Sequence, residues 1–239
     1  MIHEEQPGRR ERSRARRREA ILREAAEIIA ADGIEGLTMG RLADALDVAA
    51  GGLYRYFPSK DALVAAVQIR TVARMEEALR SRLAKLEREL PDDAIEAALA
   101  AIVGAVLAYR GLERREPESL RLVSAGLARP EALVADPEAR AAVPAVLSLL
   151  GLFADRFARA AEVGALEPGD GLERTVSLWA AVHGAQLLGK LARLDPEGRS
   201  SFAPDALALS LTTTLLRGWG ADPQHLDAAR ARAEETARP

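Results

Sequence analysis

Residues 38–60 read TMGRLADALDVAAGGLYRYFPSK, and this stretch decides the fold. It contains two short helices joined by a tight turn. Thr38 is a good N-cap, because its hydroxyl can accept from a free N–H of the first turn. Met39, Leu42, Ala43 and Leu46 recur at helical spacing and give the first helix one apolar face. Asp47 falls where the chain must turn, and Asp tolerates left-handed backbone better than most residues with a side chain. Val48 fills the gap between the helices. The second helix is expected over residues 50–57, with Leu53 and Phe57 inward. Pro58 breaks it, and Ser59 caps the next helix with Lys60 and Asp61 in its first turn.

The outward face of the second helix carries the chemistry. Ala49, Ala50, Gly51 and Gly52 are small enough to let the helix N-terminus approach another surface closely. Tyr54, Arg55, Tyr56 and Lys60 follow. Such a set fits a helix laid in a DNA major groove. Hydroxyls and Lys60 hold phosphates, and Arg55 reads a guanine edge.

The motif T-x-x-x-[IL]-A, then L-x-V, then G-x-L-Y-x-Y-F-x-S-K closely resembles the TetR family of one-component transcriptional regulators. The resemblance spans about residues 14–64; beyond them it is one of helix pattern only. It implies a homodimer on a near-palindromic double-stranded operator. It also implies a helical ligand-binding domain whose occupancy re-spaces the two recognition helices. The chain departs from the family pattern at Asp47, where Gly is common. It departs again at Gly40, Ala49, Ala50 and Gly52, where polar side chains are common. Arg55 is then the main base reader, with Thr38 and Arg41 beside the motif. Specificity rests more on DNA shape and thymine-methyl contacts.

Upstream, residues 9–18 read RRERSRARRR. Arg14 and Arg16 belong to a basic arm that reaches the DNA backbone or a narrow minor groove; the alternative is a solvated helix start. A first helix is expected over residues 13–31, buried through Ile21, Ala25, Ile28 and Ile29 and ended by Gly33.

The 239 residues are poor in aromatics (4%) and show no strand-like alternation, so the expected class is all-α with about nine helices. No cysteine is present, which excludes disulfides and thiolate chemistry. No stretch is read as long and apolar enough to span a bilayer, and the protein is expected to be cytoplasmic. Further helices are expected over residues 59–90, 92–111, 117–128, 139 or 144 to 163, 170–194 and 204–219. The domain limits are 1–58 for the arm and helix-turn-helix, 59–221 for ligand binding and dimerisation, and 222–239 for a polar tail.

The eighth and ninth expected helices, 170–194 and 204–219, are apolar nearly all round, and a second copy is the economical partner. Candidate ligand contacts are Tyr109, Arg110, Arg121, Ser124, Phe153, Arg156, Trp179, His183 and Gln186. Each can equally be a core hydrogen bond or a surface charge. His183 is read first as a structural or interface histidine, with a pH-responsive or ligand role as the alternative. Aliphatic stripes with Arg110, Arg121 and Arg156 near them favour an aliphatic, neutral or anionic effector over a cationic aromatic one. Nothing calls for a metal, a cofactor or catalysis, since no histidine has a nucleophile or orienting partner in sequence. The expected function is a repressor released from its operator by a small apolar ligand. The other reading is a helical DNA-binding architectural protein without ligand control.

Overall fold

The computed structural model describes residues 8–117, 122, 140–188 and 203–236. Among the described residues there are nine helices and no strand. They are α1 (Arg9–Gly36), α2 (Met39–Ala45), α3 (Ala50–Tyr54), α4 (Lys60–Glu87), α5 (Ala94–Arg115), α6 (Val143–Glu162), α7 (Gly171–Leu188), α8 (Pro204–Gly218) and α9 (Pro223–Thr236). The helix expected over 117–128, and the end of the one expected over 170–194, lie outside the described residues apart from Pro117 and Leu122.

The chain forms two compact units. One takes Met1–Ala73 with Pro117–Val146, and the other takes Arg74–Glu116 with Leu147–Pro239. The first unit is built on the motif. Ile21, Leu22, Ala25 and Ile28 of α1 share a core with Leu37, Leu42, Leu53, Phe57, Leu63 and Val67. Thr38 caps α2, its Oγ1 accepting from the Arg41 N–H at 3.1 Å. Asp47 takes φ 51°, the left-handed conformation that the turn requires. The Val48 N–H then donates to the Ala43 carbonyl at 3.0 Å and the Asp47 N–H to that of Asp44 at 3.2 Å. This pair of bonds is a Schellman closure. It satisfies two end carbonyls of α2 and drops Val48 onto the core. Ser59 caps α4, accepting from the Ala62 N–H at 3.0 Å.

Several bounds differ from expectation. The basic run is itself helical, since α1 starts at Arg9, and its regular helix breaks at Gly33 (φ 73°) before one more turn. The recognition helix α3 closes at Tyr54 rather than Phe57. Gly51 and Gly52 are weak helix formers, and the N–H groups of Tyr56 and Phe57 both fold back onto the Leu53 carbonyl. Helix α5 runs four residues past Gly111, to Arg115.

In the second unit α5 is the central helix. It is long and apolar enough to cross a membrane, contrary to the sequence reading. However, 67% of its apolar window is buried inside the protein, as for a core helix. The segment read as a polar tail forms α9, which packs along α5. Leu226, Ala229 and Ala233 are buried there at helical spacing, a pattern masked by the charged residues between them.

The left-handed turn yields a prediction. Asp47→Val should destabilise the protein by about 1–2 kcal/mol, because a β-branched residue resists positive φ. Asp47→Gly should be neutral or slightly stabilising. Urea unfolding of both variants checks this, and equal stability of the two would remove backbone strain from the account.

Candidate functional site

The motif presents an open surface. Nothing lies within 4 Å of where a Cβ would stand at Gly40, Gly51 or Gly52. Ala49 is exposed and Ala50 half-buried. Tyr54 is 51% exposed, unusual for a large aromatic, and Arg55 beside it is exposed as well. Tyr56 is half-buried against the core, so part of its role is packing. Lys60 opens α4 and is half-buried.

Arg41 is tethered within the unit. It pairs with Asp32 and donates to the Gly36 carbonyl at 3.2 Å, leaving about half its side chain exposed. Arg14 and Arg16 are exposed on α1. Arg17 and Arg18, the last residues of the basic run, are brought by the helix to the motif. Arg17 lines an open depression of about 300 Å³ together with Ala49, Gly52, Arg55 and Tyr56. The Arg18 guanidinium stands 5.1 Å from the centre of the Phe57 ring, a cation–π contact. The available signal was their three- and four-residue spacing to the buried Ile21.

The candidate ligand residues separate into two places. Arg121 and Ser124 lie outside the described residues. Tyr109, Phe153, Trp179 and His183 converge. The Tyr109 and Phe153 rings meet edge-on at 6.2 Å, and the Trp179 and His183 rings are 3.9 Å apart. His183 Nδ1 lies 3.0 Å from the Trp179 carbonyl and must be the protonated nitrogen. Nε2 then accepts from the Tyr109 hydroxyl at 3.2 Å. Beside this group, Val106, Tyr109, Phe153, Thr175, Leu178 and Trp179 enclose about 20 Å³.

Arg110 is engaged within the protein. It is buried, pairs with Glu113, and donates to Asp205 at 2.9 and 3.0 Å, while Arg114 reaches the same carboxylate at 2.6 Å. Glu113 is a residue that sequence reasoning missed. Its side chain is 1% exposed, and its Oε1 has no hydrogen-bond partner and lies 4.0 Å from His183 Nε2. Burial raises the Glu113 carboxyl to about 7 despite Arg110. Burial also lowers His183 to about 4, with Arg110 adding to the effect. The Tyr109 hydroxyl is pushed up, first by burial and then by Glu113.

Arg156 stands apart from these. It donates to the Leu152 carbonyl, pairs with Glu87, and keeps its Nε buried without a partner. It lines an open cleft of about 550 Å³ between α4, α5 and α6. Leu83, Leu90, Leu152 and the alanines 84, 94, 97, 98 and 101 form the walls. The charged lining is Arg80, Arg156 and Arg159 against Glu87 and Asp155.

A capped helix-turn-helix with an open, small-residue recognition face, joined to a larger helical unit, defines a DNA-binding regulator. Residues 21–67 match the profile of bacterial regulatory proteins of the tetR family, so the DNA-binding domain of this chain belongs to the TetR family. Solved structures share the fold. A protein of unknown function from Rhodococcus sp. RHA1 is 22% identical, with TM-score 0.63, covering 84% of this chain and 94% of its own. A candidate TetR-family transcriptional regulator from Mesorhizobium loti MAFF303099 is 18% identical, with TM-score 0.63 and coverages of 87% and 98%. AibR, solved in complex with isovaleryl coenzyme A and operator DNA, is 20% identical, with TM-score 0.52 and coverages of 84% and 98%. A comparison with curated proteins finds no match.

The buried acid and histidine oppose each other as pH changes. Between about pH 4.5 and 7 native Glu113 holds a proton that the unfolded chain has lost, so its contribution to stability falls as pH rises. Between about 4 and 6.5 native His183 lacks a proton that the unfolded chain binds, so its contribution rises. Glu113→Gln should therefore stabilise the protein above pH 7, by on the order of 2 kcal/mol, and give little or no gain at pH 5. Urea unfolding at pH 5, 7 and 8.5 reads this out. A constant difference across that range would show that Glu113 is not held protonated.

Proposed function

We propose that this protein is a homodimeric repressor that leaves its operator when an aliphatic, neutral or anionic small molecule binds. Residues 1–58 are taken as the DNA-binding part and 59–221 as the part that binds ligand and dimerises. The observation that carries the reading is the placement of α4. Its first turn holds Lys60 beside the recognition helix, and its later turns contribute Arg80, Leu83, Ala84 and Glu87 to the 550 Å³ cleft. A ligand that moves those later turns acts on the same helix that carries Lys60. The volume lies within the usual range of about 300–1,000 Å³ for small-molecule pockets. The leucine and alanine walls suit an acyl chain, and the buried, unpartnered Arg156 Nε suits an oxygen acceptor on it, while Arg80 and Arg159 are engaged by Glu76 and Glu162. AibR, a fold neighbour, was solved with an acyl thioester and operator DNA together, which is compatible with this ligand class. Action on chromosomal operators makes the expected location cytoplasmic.

On the DNA side, Arg55 is assigned base reading. Thr38, Tyr54, Tyr56, Lys60, Arg41 and the α1 arginines are assigned to phosphates. Ala49, Ala50, Gly51 and Gly52 provide close approach and methyl contacts. A mobility-shift assay on the DNA flanking the gene, with and without medium-chain acyl compounds, tests the reading. Acyl compounds should release the operator. Lys60→Ala should weaken all sequences alike and lower the salt slope by about one unit. Arg55→Ala should relax one base position at a cost of about 1–3 kcal/mol. Operator affinity unmoved by any acyl compound would favour a DNA-binding protein without ligand control.

The dimer is assigned to α7 and α8. Leu172, Val176 and Leu188 are 41%, 47% and 53% exposed on α7, in one four-residue ridge with Ala180 and Gly184. Space in front of Gly184 is open. Such an apolar ridge is costly in water and suits a two-fold contact. Val176→Arg leaves the protomer core untouched, so it should keep helicity while halving the sedimenting mass and lowering operator affinity. An intact dimer would move the interface elsewhere.

A further inference from the structure

A second concave surface lies apart from the aliphatic cleft, where α4, α5 and the C-terminal turn of α9 meet. It encloses about 360 Å³, and Arg82, Lys85, Arg114 and Arg115 line it with no acidic residue among the lining groups. We propose that this groove is a binding site for a small polyanion bearing two or more phosphate or carboxylate groups.

The floor is made by residues without bulk. Gly104, Ala108 and Gly111 of α5 face the cations. A Cβ at Gly104 would meet a Leu86 methyl at 2.3 Å, so α4 and α5 approach closely there. A Cβ at Gly111 would stand 3.3 Å from Arg82 Nη1. The Arg82 guanidinium lies across this floor, its Nη1 donating over 3.4 Å to the Ala108 carbonyl. That contact is long and neutral, and does not offset the charge.

The charges do not balance locally. Arg110 and Arg114 share Asp205, and Arg110 also engages Glu113, so none of these acids serves the groove. Glu116 approaches Arg82 but also pairs with Arg74 at 2.7 Å. Lys85 and Arg115 have no ion pair among the described residues. Arg82 is held below the usual guanidinium range by burial and by the repulsion of Arg115. The ends of α5 and α9 supply helix-dipole charge, about half a unit each. Two such ends offset about one of the three remaining cations, Arg82, Lys85 and Arg115. A ligand with adjacent anionic groups would supply the rest. Two guanidiniums offer paired N–H donors of the geometry that phosphate and carboxylate accept. The volume admits a small molecule.

The test uses the full chain and pyrophosphate, with citrate as the carboxylate arm, at constant ionic strength. Calorimetry and thermal shift should show saturable binding by the wild type. Arg82→Gln with Arg115→Gln should weaken it at least tenfold. Arg115→Gln alone, at an exposed position, should weaken it severalfold while leaving the unliganded protein as stable or more so at low salt, because a repulsion is removed. Lys60→Ala should bind pyrophosphate like the wild type, since that cation belongs to the DNA surface. The proposal is overturned if the double variant binds as the wild type does, or if Lys60→Ala abolishes binding. It is equally overturned if the double variant loses affinity for non-specific duplex DNA while keeping pyrophosphate. That result would make the groove a contact to nucleic-acid phosphates.

Discussion

The left-handed residue between α2 and α3 is the constraint on which the DNA-binding face depends. With Asp47 at φ 51°, the chain reverses in a single residue and still satisfies two end carbonyls of α2. Val48 is thereby placed on the core, and α3 begins two residues later with its small side chains outward. An extended residue at this point would carry Val48 away from the core and leave those carbonyls unpaired. The chain meets the requirement with Asp rather than Gly, accepting some strain in the folded state while its unfolded state is less free.

A different constraint organises the second unit, the burial of Arg110. A guanidinium taken from water is stable only if its charge is matched and its donors are used. Asp205 supplies the matching charge and also holds Arg114, and the Glu113 carboxyl, raised to about 7, accepts a further N–H. The solution joins α5 to the first turn of α8, and it leaves a cost at Glu113 Oε1, which has no donor. Tyr109 and His183 close the other side through one shared hydrogen bond. The cluster therefore holds its protons differently from free side chains, the acid more tightly and the histidine more weakly.

These two features explain what could be read from sequence. The helix-turn-helix was legible because it is local. Cap, turn and inward residues lie within 23 positions, and each obeys a short-range rule of hydrogen bonding or spacing. The helical class followed from composition for the same reason. Glycine content shortened α3 below expectation because Gly51 and Gly52 weaken a helix too short to compensate. The roles of Arg110 and Arg156 were not legible. Arg110 meets Asp205 across 95 positions and Arg156 meets Glu87 across 69, so no local pattern indicates that either arginine is already paired. Glu113 was passed over for the converse reason, as a charged residue near a helix end that reads as solvated. Helix α9 was legible only as a polar, alanine-rich tail or a frayed helix, because its three small or apolar buried residues at helical spacing are outnumbered by charges.

The pairing of Arg110 also bears on the ligand. An arginine engaged by two carboxylates offers little to an anionic head, which removes one of the cations that sequence reading counted. The aromatic residues Tyr109, Phe153 and Trp179 leave only about 20 Å³ between them, room for a single water. Their rings pack on each other and on His183. A flat aromatic cation would have to separate that packing and break the Tyr109–His183 bond before gaining any contact of its own. The aliphatic cleft requires no such opening, and its Arg156 Nε is a buried donor still lacking an acceptor. On the proposed reading, a ligand with an acyl chain and an oxygen acceptor would gain from both walls and donor without disturbing the cluster.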